Sequence, residues 1–182
     1  MSVVRTMNGT SSDDTEQMKQ ADTVSSGDNE DDNVTENAII SLDEDAVTRL
    51  LTYEASDCAD ELARYSATRA EWVPPILKER YADSTFFNVQ FCKDTQLSVS
   101  KSACFVMAMD TCFRTAVDDA FVDPRKAFEA FKRIVLEYCA RAKDDSECFS
   151  DLEMKRASTF AAETFTRNYS LFRCIYDRAN GA

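Results

Sequence analysis

Glycine is almost absent. In 182 residues the only glycines are Gly9, Gly27 and Gly181, so none falls between Asp28 and Asn180. Sheets and tight hairpins lean on glycine at positive φ, and phosphate-cradling loops need it where the backbone approaches the ligand. The gap therefore argues for helices joined by short polar turns, and against a nucleotide-binding loop. Histidine is missing altogether. That removes the commonest general base and metal ligand and makes a Ser-His or Cys-His nucleophile pair impossible. Long apolar runs are missing as well. The stretch Ala103–Met109 stops after seven residues at Asp110, far short of the roughly 18–20 that cross a bilayer. The first residues lack the apolar segment of a signal peptide, so the sequons at Asn8, Asn33 and Asn168 are expected to stay unmodified in a soluble intracellular protein, cytoplasmic or nuclear.

What is present is acidic and thiol-rich. The net charge is −12, which argues against unaided binding to nucleic acid or to an anionic membrane surface. The seven cysteines are Cys58, Cys92, Cys104, Cys112, Cys139, Cys148 and Cys174. No two are spaced as C-x-x-C and most fall at apolar positions of helical patterns. They read as small buried hydrophobes in a reducing compartment, not as zinc or redox ligands.

Residues 1–37 form a separate region. It has nine acidic residues against Arg5 and Lys19 and no aromatic residue. Such a segment cannot bury enough apolar surface to offset its chain entropy and is expected to be disordered. Ser11 and Ser25, each three residues before an aspartate, are candidate sites for acid-directed kinases. Residues 38–182 are the expected folded domain.

The organising stretch of that domain is Ser98–Phe121. Its first half is apolar all round, and its second half keeps a helical period with Asp110, Arg114 and Asp118 on the opposite face. A helix without a polar face must be covered on all sides, so this is read as a core helix surrounded by others, capped by Ser98 or Ser100. Before it, Ser41 to Glu44 has a capping-box pattern with Ile39 and Ile40 as a staple, opening one helix that runs to about Arg69 or Trp72 and ends at Pro74-Pro75. The segment 76–97 fits a short helix or an extended packing segment, since a lone strand has no partner. After the core helix, Asp123 caps and Pro124 takes the first position of another helix, with Ala127, Phe128, Phe131, Ile134, Val135, Tyr138 and Cys139 on its apolar face. Ser150 and Glu153 form a second capping box. The last helix runs towards Tyr176 and bends near Asn168. The fold class is thus all-α: a compact bundle of four long helices and one short one around a buried central helix, following a disordered acidic tail.

Few constellations suggest chemistry. The acidic turn Asp144, Asp145, Glu147 and Asp151 lacks the spacing of a calcium loop. Asp118 and Asp119 are adjacent on a helix and point apart, so they form no dyad. The basic residues Arg125, Lys126, Lys132, Arg133, Arg141 and Lys143 share one helix and suit an acidic partner, or the acidic tail itself. Tyr65 and Trp72 flank the proline pair and are placed either to anchor a partner or to cap the end of the bundle. No cofactor or metal is expected.

The stretch Ser98 to Ala103 leading into a long helix, followed by Asp123-Pro124 and another helix, resembles the loop and median helix of histone-fold transcription subunits. That resemblance implies a nuclear complex and a heterodimer partner. An apolar helix wrapped by amphipathic ones also resembles the Bcl-2 plan. The leading expectation is a non-enzymatic regulatory or interaction protein that binds a protein partner through a helix face or groove, with Tyr65, Trp72, Arg125, Lys126, Lys132 and Arg133 as the candidate binding residues.

Overall fold

Helices account for all the regular structure of the described residues, 41–144 and 146–181, of a computed structural model. The expected tail, its Ser11 and Ser25, the staple residues Ile39 and Ile40, and Asp145 lie outside them. In chain order the helices are α1 (Glu44–Thr52), α2 (Ala55–Thr68), α3 (Lys78–Thr95), α4 (Val99–Asp118), α5 (Pro124–Arg141), α6 (Asp151–Ala161) and α7 (Arg167–Asn180). A 3₁₀ turn, Pro75–Leu77, leads into α3, and a π turn, Ala162–Thr166, joins α6 to α7 into one rod. Six rods result, five long and the nine-residue α1 short, so the expected count of four long and one short is corrected.

Two readings of the sequence account for the difference. The segment 76–97 is an 18-residue helix with a 3₁₀ lead-in. Its pattern was obscure because α3 buries Thr85 and Asn88 while Phe87 faces outward. The helix expected from Ser41 to Arg69 breaks at Tyr53–Glu54, both in extended backbone. No glycine or proline marks the break. Tertiary contact makes it affordable, because the Lys93 ammonium of α3 donates to the Tyr53 carbonyl at 2.6 Å. The cap of α1 is also shifted. Asp43, not Ser41, accepts from the Ala46 amide at 2.9 Å, and the Ser41 hydroxyl donates to the same carboxylate at 2.6 Å. A carboxylate at a helix N-terminus gains from the macrodipole as well as from the hydrogen bond.

Other expectations hold. Ser98 caps α4, Asp123 caps α5 with Pro124 at its start, and Ser150 with Glu153 completes a capping box on α6. Glu153 also pairs with Lys101 at 3.0 Å, pinning the start of α6 to the start of α4.

The core is strung along α4. Phe105 gathers Phe91, Phe131 and Phe160, with ring centroids 4.8 to 6.1 Å away. Two turns on, Phe113 gathers Trp72, Tyr81, Phe121, Phe165 and Phe172 at 5.3 to 6.2 Å. Between and beside them the small side chains Cys104, Ala108, Cys112 and Ala116 recur every fourth residue and are buried, so one stripe of α4 admits a closely packed neighbour. The covering is not complete. Met107 is 44% exposed and Ser100 and Arg114 share its stripe, also exposed. Asp110, expected on the polar face, turns half inward instead.

The helix ends solve the shortage of glycine in an unusual way. Gln96 (φ 55°), Ala120 (φ 47°) and Phe121 (φ 54°) all occupy the left-handed region, which L-residues enter at a cost of about 1–2 kcal/mol each. At the end of α4 the Phe121 amide bonds the Ala116 carbonyl at 2.7 Å and the Ala120 amide bonds that of Val117 at 3.0 Å. The end of α3 repeats the pattern, Leu97 to Cys92 and Gln96 to Lys93. Both are Schellman endings, where glycine is the usual residue at the position held here by Gln96 and Ala120. Gln96→Gly and Ala120→Gly are each expected to stabilise the protein by about 0.5–1 kcal/mol, the relief of left-handed strain exceeding the added freedom of the unfolded chain. Urea denaturation followed by circular dichroism reads this as a higher midpoint at unchanged slope.

Candidate docking surface

The candidate binding residues separate into two places. Tyr65, at the end of α2, is buried, and Trp72, in the connection after it, is half-buried. Both rings lie against Tyr81 of α3, with centroids 6.4 and 5.1 Å away. The Tyr81 hydroxyl donates to the Asp110 carboxylate of α4, and the Arg114 guanidinium sits 4.5 Å above the Trp72 ring. This is an interior polar cluster closed by Arg114. Burial raises the Asp110 carboxyl above its ordinary 3.8, against the Tyr81 hydrogen bond and the Arg114 charge, which pull it down. Burial, followed by the charge of Asp110, also pushes the Tyr81 phenol upward. The Trp72 indole nitrogen, the Gln90 amide nitrogen and the Tyr169 hydroxyl are the buried side-chain polar atoms left without a partner among the described residues.

The basic residues sit apart on α5. Lys126 pairs with Asp119, and Lys132 pairs with Glu129 while lying 5.3 Å over the Phe128 ring. Arg125 and Arg133 are exposed, and Arg125 borders a small hollow with Phe128, Ala162 and Thr166. No hydrogen bond, ion pair or ring contact among the described residues joins these cations to the Tyr65–Trp72 cluster.

A third place was not read from the sequence. Phe87 of α3 is 58% exposed and Leu171 of α7 is 55% exposed. They face the same open groove, of about 680 Å³, with Phe172 and Ile175 as its apolar lining and Arg80, Asp83, Ser84, Glu163, Thr164 and Asn168 around them. A second groove, of about 570 Å³, lies on the other side of Phe87, between α2 and α3. Ala59, Ala63, Ala67 and Ala82 give it a shallow, small-residue lining. Phe87 and Asp83 belong to both, so Phe87 is a ridge with an apolar trough on each flank. The π turn forms one wall, contributing Glu163 and Thr164, and the Asn168 amide one turn on donates to the Thr164 carbonyl. Single π turns within α-helices are often found at functional places.

The signal for this surface is the pair of adjacent bulky residues. Neighbours on a helix point about 100° apart, so a helix with a narrow core-facing stripe cannot bury both Phe86 and Phe87, or both Leu171 and Phe172. In each pair one is half-buried or buried and the other is exposed.

Among the described residues no group of three or more Cys, Asp or Glu side chains is placed to hold a metal ion. Burial lifts the Cys92, Cys104 and Cys112 thiols to about 12, far from the thiolate form that nucleophilic catalysis needs. No described helix is long and apolar enough to cross a membrane. A family model, CLAMP, described as flagellar C1a complex subunit C1a-32, matches residues 88–180. That segment takes in the last eight residues of α3 and everything from α4 through α7. No curated protein and no solved structure matches the chain.

Proposed function

We propose that this chain, which belongs to the CLAMP family of flagellar C1a complex subunit C1a-32, is a non-catalytic subunit of a flagellar complex, held in it by protein–protein contacts. The observation that carries the proposal is the pairing of exposed Phe87 and Leu171 across one groove. An isolated exposed leucine is ordinary. Large apolar residues gathered around a trough mark an interaction surface. Family membership favours this over the nuclear histone-fold and Bcl-2-like alternatives. Tyr65 and Trp72 then serve the interior of the bundle, while Arg125 and Arg133 remain available for an acidic partner, and the segment 1–37 for tuning it.

The test uses the full chain, tagged and expressed in a flagellated cell. Wild-type protein is expected in the detergent-extracted flagellar skeleton. Phe87→Asp changes a side chain that is mostly in solvent, so its circular dichroism is expected to stay unchanged while its incorporation falls about tenfold or more, the effect of losing one aromatic anchor. Equal incorporation of the two proteins removes the groove from the reading. Exclusion of the wild type from flagella removes the reading itself.

A further inference from the structure

Resting on that docking role, we infer that the occupant of the Phe87 surface is a basic amphipathic helix of a partner protein. The described residues present no strand, so a partner strand has no sheet edge to extend. A trough between two rods accepts a third rod, which places side chains at i, i+3 or i+4 and i+7 into it. Alanines on one flank of Phe87 and the Leu171–Ile175 wall on the other suit such a rod.

Charge decides its sign. The two troughs are bordered by Asp60, Glu79, Asp83 and Glu163 against Lys78 and Arg80. Both cations are already engaged within the chain: the Lys78 ammonium donates to the Ala67 carbonyl at 2.7 Å, and Arg80 pairs with Asp83 at 3.2 Å. Asp60, Glu79 and Glu163 are exposed and make no hydrogen bond or ion pair among the described residues. An apolar trough rimmed by unpaired carboxylates selects a helix with lysine or arginine flanking its apolar stripe and repels an acidic one.

The experiment is a selection from phage-displayed helices of about 18 residues, enough for two heptads of contact, with a fixed apolar stripe and randomised flanks, against the full-length protein. Enrichment of lysine and arginine in the flanks is expected. The selected peptides, synthesised with a fluorescent label, are expected to bind about tenfold more weakly to Phe87→Asp and to the triple variant Asp60→Asn, Glu79→Gln, Glu163→Gln, and to lose affinity as salt is raised. Peptides with neutral or acidic flanks that still require Phe87 overturn the basic partner and leave the docking surface standing. Basic peptides indifferent to Phe87, or a selection that enriches nothing, overturn the inference as a whole. Incorporation of Phe87→Asp into flagella at the wild-type level marks the separate failure of the docking role.

Discussion

Phe113→Ala is expected to remove about 3–5 kcal/mol of stability, the cost of deleting a large aromatic side chain from a core that collapses only in part. Phe113 is 2% exposed and its ring meets those of Trp72, Tyr81, Phe121, Phe165 and Phe172. These belong to four separate parts of the chain: the connection after α2, α3, the end of α4, and the α6–α7 rod. No single neighbour is able to move into the void without leaving another. Domains of this size are stable by only about 5–15 kcal/mol, so the variant is expected to sit close to its unfolding threshold at 37 °C. Urea denaturation at 25 °C gives the loss directly. Phe128→Ala, at a half-buried ring on the outer side of α5, serves as the comparison and is expected to cost clearly less.

The second large effect depends on pH. The Asp110 carboxyl is raised above its ordinary value of 3.8, chiefly by burial. The folded state therefore binds this proton more tightly than the unfolded state. The stability it contributes is fully present below about pH 4 and is lost as pH rises through the raised value. Asp110→Asn keeps an acceptor for the Tyr81 hydroxyl and removes the charge. It is expected to be more stable than the wild type at pH 7, with the difference shrinking to nothing near pH 4. Tyr81→Phe has the opposite outcome. It takes the donor from a half-buried carboxylate and is expected to cost about 1–3 kcal/mol at pH 7, and less near pH 4, where the carboxyl is neutral. In the double variant the cost of losing the Tyr81 hydroxyl is expected to fall. Thermal melts of the four proteins at the two pH values decide it. A wild type that falls further behind Asp110→Asn as pH is lowered from 7 to 4 would contradict the assignment.

How much of this was legible depended on what each element owes to its own residues. The ends of α4, α5 and α6 were readable because Ser98, Asp123-Pro124 and Ser150 with Glu153 act within one turn. The break at Tyr53–Glu54 was not, because its compensation arrives from Lys93, forty residues away. The helix α3 was obscured because it buries polar Thr85 and Asn88 and exposes Phe87, which inverts the usual pattern. Asp110 was assigned to the polar face because its spacing fits; only the position of Tyr81 shows that the face is half covered. The same reason hid the docking surface. Phe87 and Leu171 are ordinary helix residues in the chain, and a groove exists only once α3 and α7 stand side by side. Tyr65 and Trp72 were legible as aromatics beside the proline pair, placed to anchor a partner or to cap the bundle end; that both rings lie against Tyr81 depends on α3 and was not legible.

The π turn Ala162–Thr166 has one more consequence, for how the length of this chain can vary. Losing one codon there would let the ordinary i→i+4 ladder close, and no backbone bond would be sacrificed. Everything downstream would nonetheless swing by about 100° around the rod, carrying Tyr169 and Phe172 away from Phe121 and turning Leu171 off its groove. Local chemistry permits the deletion and the tertiary fit forbids it. Length variants in related chains are therefore expected to cluster in the connection between α5 and α6, and to leave this turn at its full count.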